Sequence, residues 1–144
     1  MNTTVNVKDL LSKPADSFER PPILPAGHYT GTFVKHEFDK SRQKKTPLIR
    51  FYLNPTTPGD DVDPDEVRNI DFKKVLLRHE FYLTPGAMYR LGDFLDAVLG
   101  ESSDNVDERI PQTTGLEVHI GLRQRMNDDG DPAGNEVTTV TAAE

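Results

Sequence analysis

Residues 78–99 read Arg78-His79-Glu80-Phe81-Tyr82-Leu83-Thr84-Pro85-Gly86-Ala87-Met88-Tyr89-Arg90-Leu91-Gly92-Asp93-Phe94-Leu95-Asp96-Ala97-Val98-Leu99. Up to Leu83 the pattern alternates with period two, and from Met88 the apolar residues Met88, Leu91, Leu95 and Val98 lie three and four apart. The first period places alternate side chains on one face of a strand and the second places them on one face of a helix, so a strand passes directly into a helix. The junction carries matching local chemistry. Thr84 is placed to accept from the open amides of a first helical turn, Pro85 stands where its missing N–H costs nothing, and Gly100 follows the last apolar position. No other long helical pattern occurs, and strand patterns lie on both sides of this one.

Three strands are predicted before the helix. The first begins after Pro25-Ala26-Gly27 with Tyr29, Gly31 and Phe33 on one face; beyond Phe33 the apolar positions become Val34, His36 and Phe38, a slip of one residue. Such a slip near a glycine predicts a bulge, which lets one strand bend and serve both halves of a small barrel. Residues 48–53 form the second strand, with Ile49, Phe51 and Leu53 opposite Leu48, Arg50 and Tyr52. Residues 54–69, with three prolines and a cluster of carboxylates, read as a long loop. The third strand lies within 70–83, with Val75, Leu77, His79, Phe81 and Leu83 opposite Leu76, Arg78, Glu80 and Tyr82.

After the helix, residues 101–114 form a second acidic connector, and 116–126 a strand with Leu116, Val118, Ile120 and Leu122 aligned. The Asp-, Gly- and Pro-rich residues 127–135 supply a hairpin turn before a last strand at 136–141. The resulting class is mainly β: three strands, a helix and two strands, the order of a five-stranded OB-fold-like barrel with its helix between strands 3 and 4. A flatter antiparallel sheet with one covering helix has the same element count. Residues 1–24 read as an extended N-terminal arm, because Pro14, Pro21, Pro22 and Pro25 block long helices, and residues 25–142 as the domain. The arm's Leu10, Leu11, Phe18, Ile23 and Leu24 offer contacts to its own domain or to a second copy in a homo-oligomer.

A chain of 144 residues without cysteine fits one domain and has neither a disulfide framework nor thiolate metal sites. No apolar stretch is long enough to span a membrane, and the N-terminus has no signal-like apolar core, so a cytoplasmic protein is expected. The net charge of −7 is unevenly arranged. Lys35, Lys40, Arg42, Lys44, Lys45 and Arg50 face only Glu37 and Asp39 within their span, a local excess of four, so the rest carries −11. A lysine-rich hairpin serves two ends: it protects an exposed strand edge from pairing, or it contacts phosphates.

The outward parity of strands two and three adds Arg50, Tyr52, Arg78 and Tyr82, arginines interleaved with rings that suit stacked bases; ordinary cross-strand pairing or burial beneath the arm is the plain alternative. His36 and Phe38 are further stacking candidates, and Arg123 and Arg125 lie at the rim. Neither acidic loop fits a calcium-binding loop: counting from Asp61 places Glu66 where glycine is required, and from Asn127 places Pro132 there. His28, His36, His79 and His119 show no close ligand spacing, and no catalytic motif or cofactor motif is present, so no metal, cofactor or catalytic residue is expected.

Three runs carry a resemblance: Leu24-Pro25-Ala26-Gly27-His28-Tyr29-Thr30-Gly31, Lys44-Lys45-Thr46-Pro47 leading into Arg50-Phe51-Tyr52, and Phe81-Tyr82-Leu83-Thr84-Pro85 leading into Arg90-Leu91-Gly92-Asp93-Phe94-Leu95. Across about residues 24–140 the chain resembles single-stranded DNA-binding proteins of tailed bacteriophages. The resemblance implies an OB-fold that coats DNA exposed in phage replication and recombination, in the host cytoplasm, without sequence preference or catalysis, alongside replication or recombination proteins. Two features depart from it. Thr141-Ala142-Ala143-Glu144 is not an acidic stretch with a hydrophobic tip, which speaks against partner recruitment there, and Asp128, Asp129 and Asp131 would repel DNA from the last hairpin. A non-enzymatic phage structural or adaptor protein that uses the same barrel to bind another protein is the rival expectation.

Overall fold

The computed structural model describes residues 22–143. Five strands, β1 (Gly27–Lys40), β2 (Pro47–Pro58), β3 (Leu77–Tyr82), β4 (Glu117–Met126) and β5 (Pro132–Ala142), form one antiparallel sheet in the order β3-β2-β1-β4-β5. A short helix α1 (Pro64–Val67) and a 3-10 turn (Phe72–Lys74) lie between β2 and β3. The long helix α2 (Met88–Leu99), a short helix α3 (Val106–Arg109) and a 3-10 turn (Ile110–Thr113) lie between β3 and β4.

Alternation builds the core. Ile49, Phe51 and Leu53 of β2, Leu77 of β3, and Val118, Ile120 and Leu122 of β4 are all buried on the inner face, together with Tyr29 and Phe33 of β1. Helix α2 covers that face with Leu91, Phe94, Leu95 and Val98. The Phe94 ring meets Phe33, Phe51, His79 and Phe81 at centroid distances of 5.8, 4.9, 5.4 and 4.7 Å, so one side chain ties the helix to three strands. Burying each such side chain contributes about 1.5–3 kcal/mol.

The predicted bulge lies between Phe33 and Lys35, and a second register shift lies between Thr30 and Gly31. Gly31 packs so tightly that a Cβ there would stand 2.6 Å from Ile120 Cδ1 and 2.7 Å from the Asn54 carbonyl oxygen. Residues 29–32 of β1 pair with both β2 and β4, whereas beyond Phe33 the strand keeps only β2. The bulge therefore marks where β1 parts from β4 and continues in a three-stranded sheet with β2 and β3.

Several expectations need correction. The sheet is not closed into a barrel: β3 and β5 are its two edges, and they wall a cleft of about 1010 Å³ into which Pro22 and Ile23 project. Residues 54–58, read as loop, continue β2 through Pro55 and Pro58. Proline is tolerated because β3 pairs only with Leu48–Leu53, leaving the following residues on an open edge. Both acidic connectors contain short helices, and β5 starts at Pro132 instead of 136. Helix α2 begins at Met88, three residues later than the predicted first helical position Pro85, and Thr84 contributes its carbonyl, which accepts from the amides of Ala87 and Met88 at 3.0 Å each.

At the other end of α2, Gly100 has φ +91 and its amide donates to the Asp96 carbonyl at 2.9 Å. Arg109, 4 % exposed, donates from Nη1 to Asp96 Oδ1 at 2.7 Å and from Nη2 to the Gly100 carbonyl, pinning the connector beneath the helix end. Leu24, assigned to the arm by sequence, is a core residue. Its amide donates to Asn135 Oδ1 at 2.8 Å, and its carbonyl accepts from Asn135 Nδ2 at 2.8 Å and Gln124 Nε2 at 3.2 Å. Residues 1–21 of the predicted arm, including Leu10, Leu11 and Phe18, lie outside the described residues. No helix among the described residues is long and apolar enough to cross a membrane.

Candidate nucleic-acid interface

The β1–β2 hairpin ends in a turn held by its own first residue. Ser41 donates its amide to the Thr46 carbonyl at 2.9 Å, its carbonyl accepts from the Lys45 amide at 3.1 Å, and its Oγ accepts from the Thr46 amide at 2.9 Å. Lys45 adopts φ +55 to complete the turn. Lys40, Arg42, Lys44 and Lys45 are all exposed on it, so four cations are displayed on a hydrogen-bonded scaffold.

Below the turn, the ladders place side chains of three strands in transverse rows on the outer face: Asp39, Leu48 and Tyr82; then Glu37, Arg50 and Glu80; then Lys35, Tyr52 and Arg78. In the third row the Lys35 ammonium is 4.8 Å from the Tyr52 ring centroid and the Arg78 guanidinium 5.9 Å from it. Tyr52 points outward as its parity requires, yet these two cations cover it and it is only 7 % exposed. The expectation of Tyr52 as an open stacking surface is therefore corrected: its ring is already taken by cations, and its hydroxyl donates to Glu37 Oε1 at 2.5 Å.

Arg50 is likewise not an open phosphate contact. Its Nη1 donates to Glu37 Oε1 at 2.7 Å and to Asp39 Oδ2 at 3.2 Å, and its Nε donates to Glu80 Oε2 at 2.7 Å. Glu37 is held below the usual carboxylate range by the Tyr52 phenol and then by Arg50, and Asp39 by the Lys40 amide and then by Arg50. Period-two parity already placed Glu80 on the Arg78 face. What the sequence did not contain is the register that brings Glu37, Arg50 and Glu80 into one row.

Tyr82 is 52 % exposed, one ladder row from the base of the basic turn, and is the open ring of this face. Phe38, 63 % exposed, lies on the opposite face of the ribbon, paired across the ladder with the core residue Ile49. His36 is half-buried between Phe38 and Phe51, at 6.0 and 6.3 Å, with Nδ1 unpartnered among the described residues. Arg123 is paired with Glu136, Nε to Oε2 at 2.8 Å, so it is not an open cation. Arg125 and Arg78, 47 positions apart in sequence, both line the cleft between β3 and β5, with Asn127 and Asn135. An exposed pair missed by strand parity is Tyr89 and Arg90, whose guanidinium lies 5.7 Å from the Tyr89 ring centroid at the start of α2. No family model matches this chain, and no curated protein matches it in sequence.

Proposed function

We propose that this chain is a non-enzymatic, sequence-independent binder of single-stranded DNA, built on an OB-type sheet left open between β3 and β5. The observation that carries the reading is the juxtaposition of a rigid, four-cation turn with the open Tyr82 ring and the Lys35–Tyr52–Arg78 row on one side of an otherwise anionic molecule. The strand order, with a β1-β2-β3 meander on one side of β1 and β4-β5 on the other, agrees with an OB-type arrangement, as does the position of α2 in the chain between β3 and β4.

In this reading Lys40, Arg42, Lys44 and Lys45 neutralise phosphates as the strand meets the hairpin, and Lys35 and Arg78 continue the contact down the face. Tyr82 stacks on a base, and Phe38 is a second stacking surface on the far side of the ribbon. Arg78 leads the strand toward the cleft, where Arg125 waits. Tyr52 and Arg50 act as the support beneath these groups. We infer, from the resemblance in the sequence alone, that such an activity would serve DNA exposed during phage replication and recombination.

A titration of fluorescent oligothymidine at low and at moderate salt tests the reading. Saturable binding that weakens steeply with salt is the expected result, because each phosphate contact releases condensed counterions. Absence of binding at low salt would remove the DNA reading and leave the structural or adaptor role.

A further inference from the structure

The outer face that carries the proposed DNA contacts is not a positive surface. Its three rows hold Lys35, Arg50 and Arg78 against Glu37, Asp39 and Glu80, so the formal charges cancel. The cancellation is built, not incidental. The Arg50 side chain is 14 % exposed, whereas Glu37, Asp39 and Glu80 are 43, 52 and 47 % exposed, so three half-exposed carboxylates converge on one sunken guanidinium. A phosphate approaching this face meets the carboxylates before it meets Arg50.

Resting on the DNA reading above, we propose that Glu37, Asp39 and Glu80 are resident counter-anions that hold down the affinity of this face for a phosphate-bearing strand, with Glu80 the principal determinant. Glu80 is singled out by position. It stands on the edge strand β3, two residues from Arg78 on the same face, and both line the cleft that also contains Arg125. It bonds Arg50 through Nε alone and carries no second hydrogen bond to Tyr52 as Glu37 does. A strand following Arg78 toward Arg125 therefore passes Glu80 directly. Like charges a few ångströms apart at an exposed surface repel, and the repulsion is screened by salt. The carboxylates thus give the face a weak grip that lets a bound strand be exchanged, while the hairpin supplies the net attraction.

The test compares Glu80→Gln with wild type in oligothymidine titrations across a salt series. Glutamine keeps an oxygen able to accept from Arg50 Nε and removes only the charge. Glu80→Gln is expected to bind about three- to ten-fold tighter at low salt, with the logarithmic salt slope steeper by about 0.7, the single-strand increment for one added phosphate contact. Glu37→Gln should shift both in the same direction, which keeps the test readable if Glu80→Gln fails to fold by circular dichroism. Glu101→Gln, an exposed acid on the distant connector, controls for net charge and should stay within about two-fold. Wild-type binding with Glu80→Gln unchanged or weaker overturns the inference and leaves the DNA reading standing. No binding by wild type and by both variants at low salt overturns the DNA reading itself.

Discussion

The two hairpins of this sheet are built alike and charged oppositely. In the β1–β2 turn, Ser41 Oγ accepts from a turn amide and Lys45 takes a positive φ; in the β4–β5 turn, Asn127 Oδ1 accepts from the amides of Asp129 and Asp131 at 3.0 Å each, and Gly130 has φ +83. Each turn is also closed by backbone bonds, from Ser41 to the Thr46 carbonyl and from Asn127 to the Asp131 carbonyl, both 2.9 Å. The backbone solution is shared, yet one turn displays Arg42, Lys44 and Lys45 after Lys40 and the other Asp128, Asp129 and Asp131. Turn geometry is satisfied by a first residue with a side-chain acceptor and one left-handed position, so the remaining positions are available for charge. Turn geometry therefore does not require the difference in charge between the hairpins.

That comparison can be broken most directly by erasing the basic turn. Changing Lys40, Arg42, Lys44 and Lys45 together to Gln should weaken oligothymidine binding at low salt by on the order of 10²-fold or more and lower the magnitude of the salt slope by up to about 2.8, four contacts at roughly 0.7 each. An unchanged slope would detach the hairpin from binding, while unchanged thermal stability would confirm that the charges are dispensable to the turn.

A second difference lies beneath the basic hairpin, where the β1–β2–β3 half buries a titratable ring. His79, packed against Phe81 at 4.7 Å and Phe94 at 5.4 Å, has its pKa lowered by burial from 6.5 to about 4. The unfolded chain takes up this proton near 6.5 and the folded chain resists until about 4, so the unfolded state binds more protons in that window. Stability should fall as pH drops through it, by as much as about 3 kcal/mol at roughly 1.4 kcal/mol per pKa unit, and level off below. Denaturant titrations of wild type and His79→Leu between pH 7 and 5 isolate the effect, since the lowered carboxylates Glu37, Asp39, Asp61 and Glu136 matter only at lower pH, below their ordinary range. Equal pH slopes in the two proteins would refute the assignment.

The contrast sharpens with single rings. Tyr82→Ala should cost about 1–3 kcal/mol of binding, the worth of one stacked base, with little change in thermal stability. Tyr52→Phe should leave oligothymidine binding nearly unchanged, because the ring stays between Lys35 and Arg78 and only its hydroxyl bonds, to Glu37 and from Arg50, are lost. The smallest effect belongs to the acidic turn. Asp128, Asp129 and Asp131 changed together to Asn should tighten binding by no more than a few-fold, a screened long-range influence. A gain as large as the loss from the basic turn would place the DNA path at the wrong end of the sheet.

Much of the fold was legible because strand alternation is local. Ile49, Phe51 and Leu53 are buried on the face their spacing predicts, and the slip at Val34 announced the bulge that bends β1. The long helix was equally readable from its apolar spacing, although its first turn was not, because the Thr84 carbonyl does the work expected of its hydroxyl. The candidate interface was half legible: the basic turn could be seen as a run of charge, and Tyr82 as an outward ring. Tyr52 could not be judged, since the cations that cover it come from two other strands. The buried Arg109 sits in a connector whose acidic sequence reads as solvated loop.

By itself the sequence determined which residues face inward, where the chain turns, and that positive charge is concentrated in one hairpin. Those properties depend on side-chain periodicity and on neighbours a few residues apart. Only the tertiary structure decided that Arg50 would be surrounded by Glu37, Asp39 and Glu80, that Arg78 and Arg125 would share a cleft, and that β3 and β5 would remain unpaired edges. Each of these depends on strand register and sheet curvature, which are set by contacts between residues far apart in the chain.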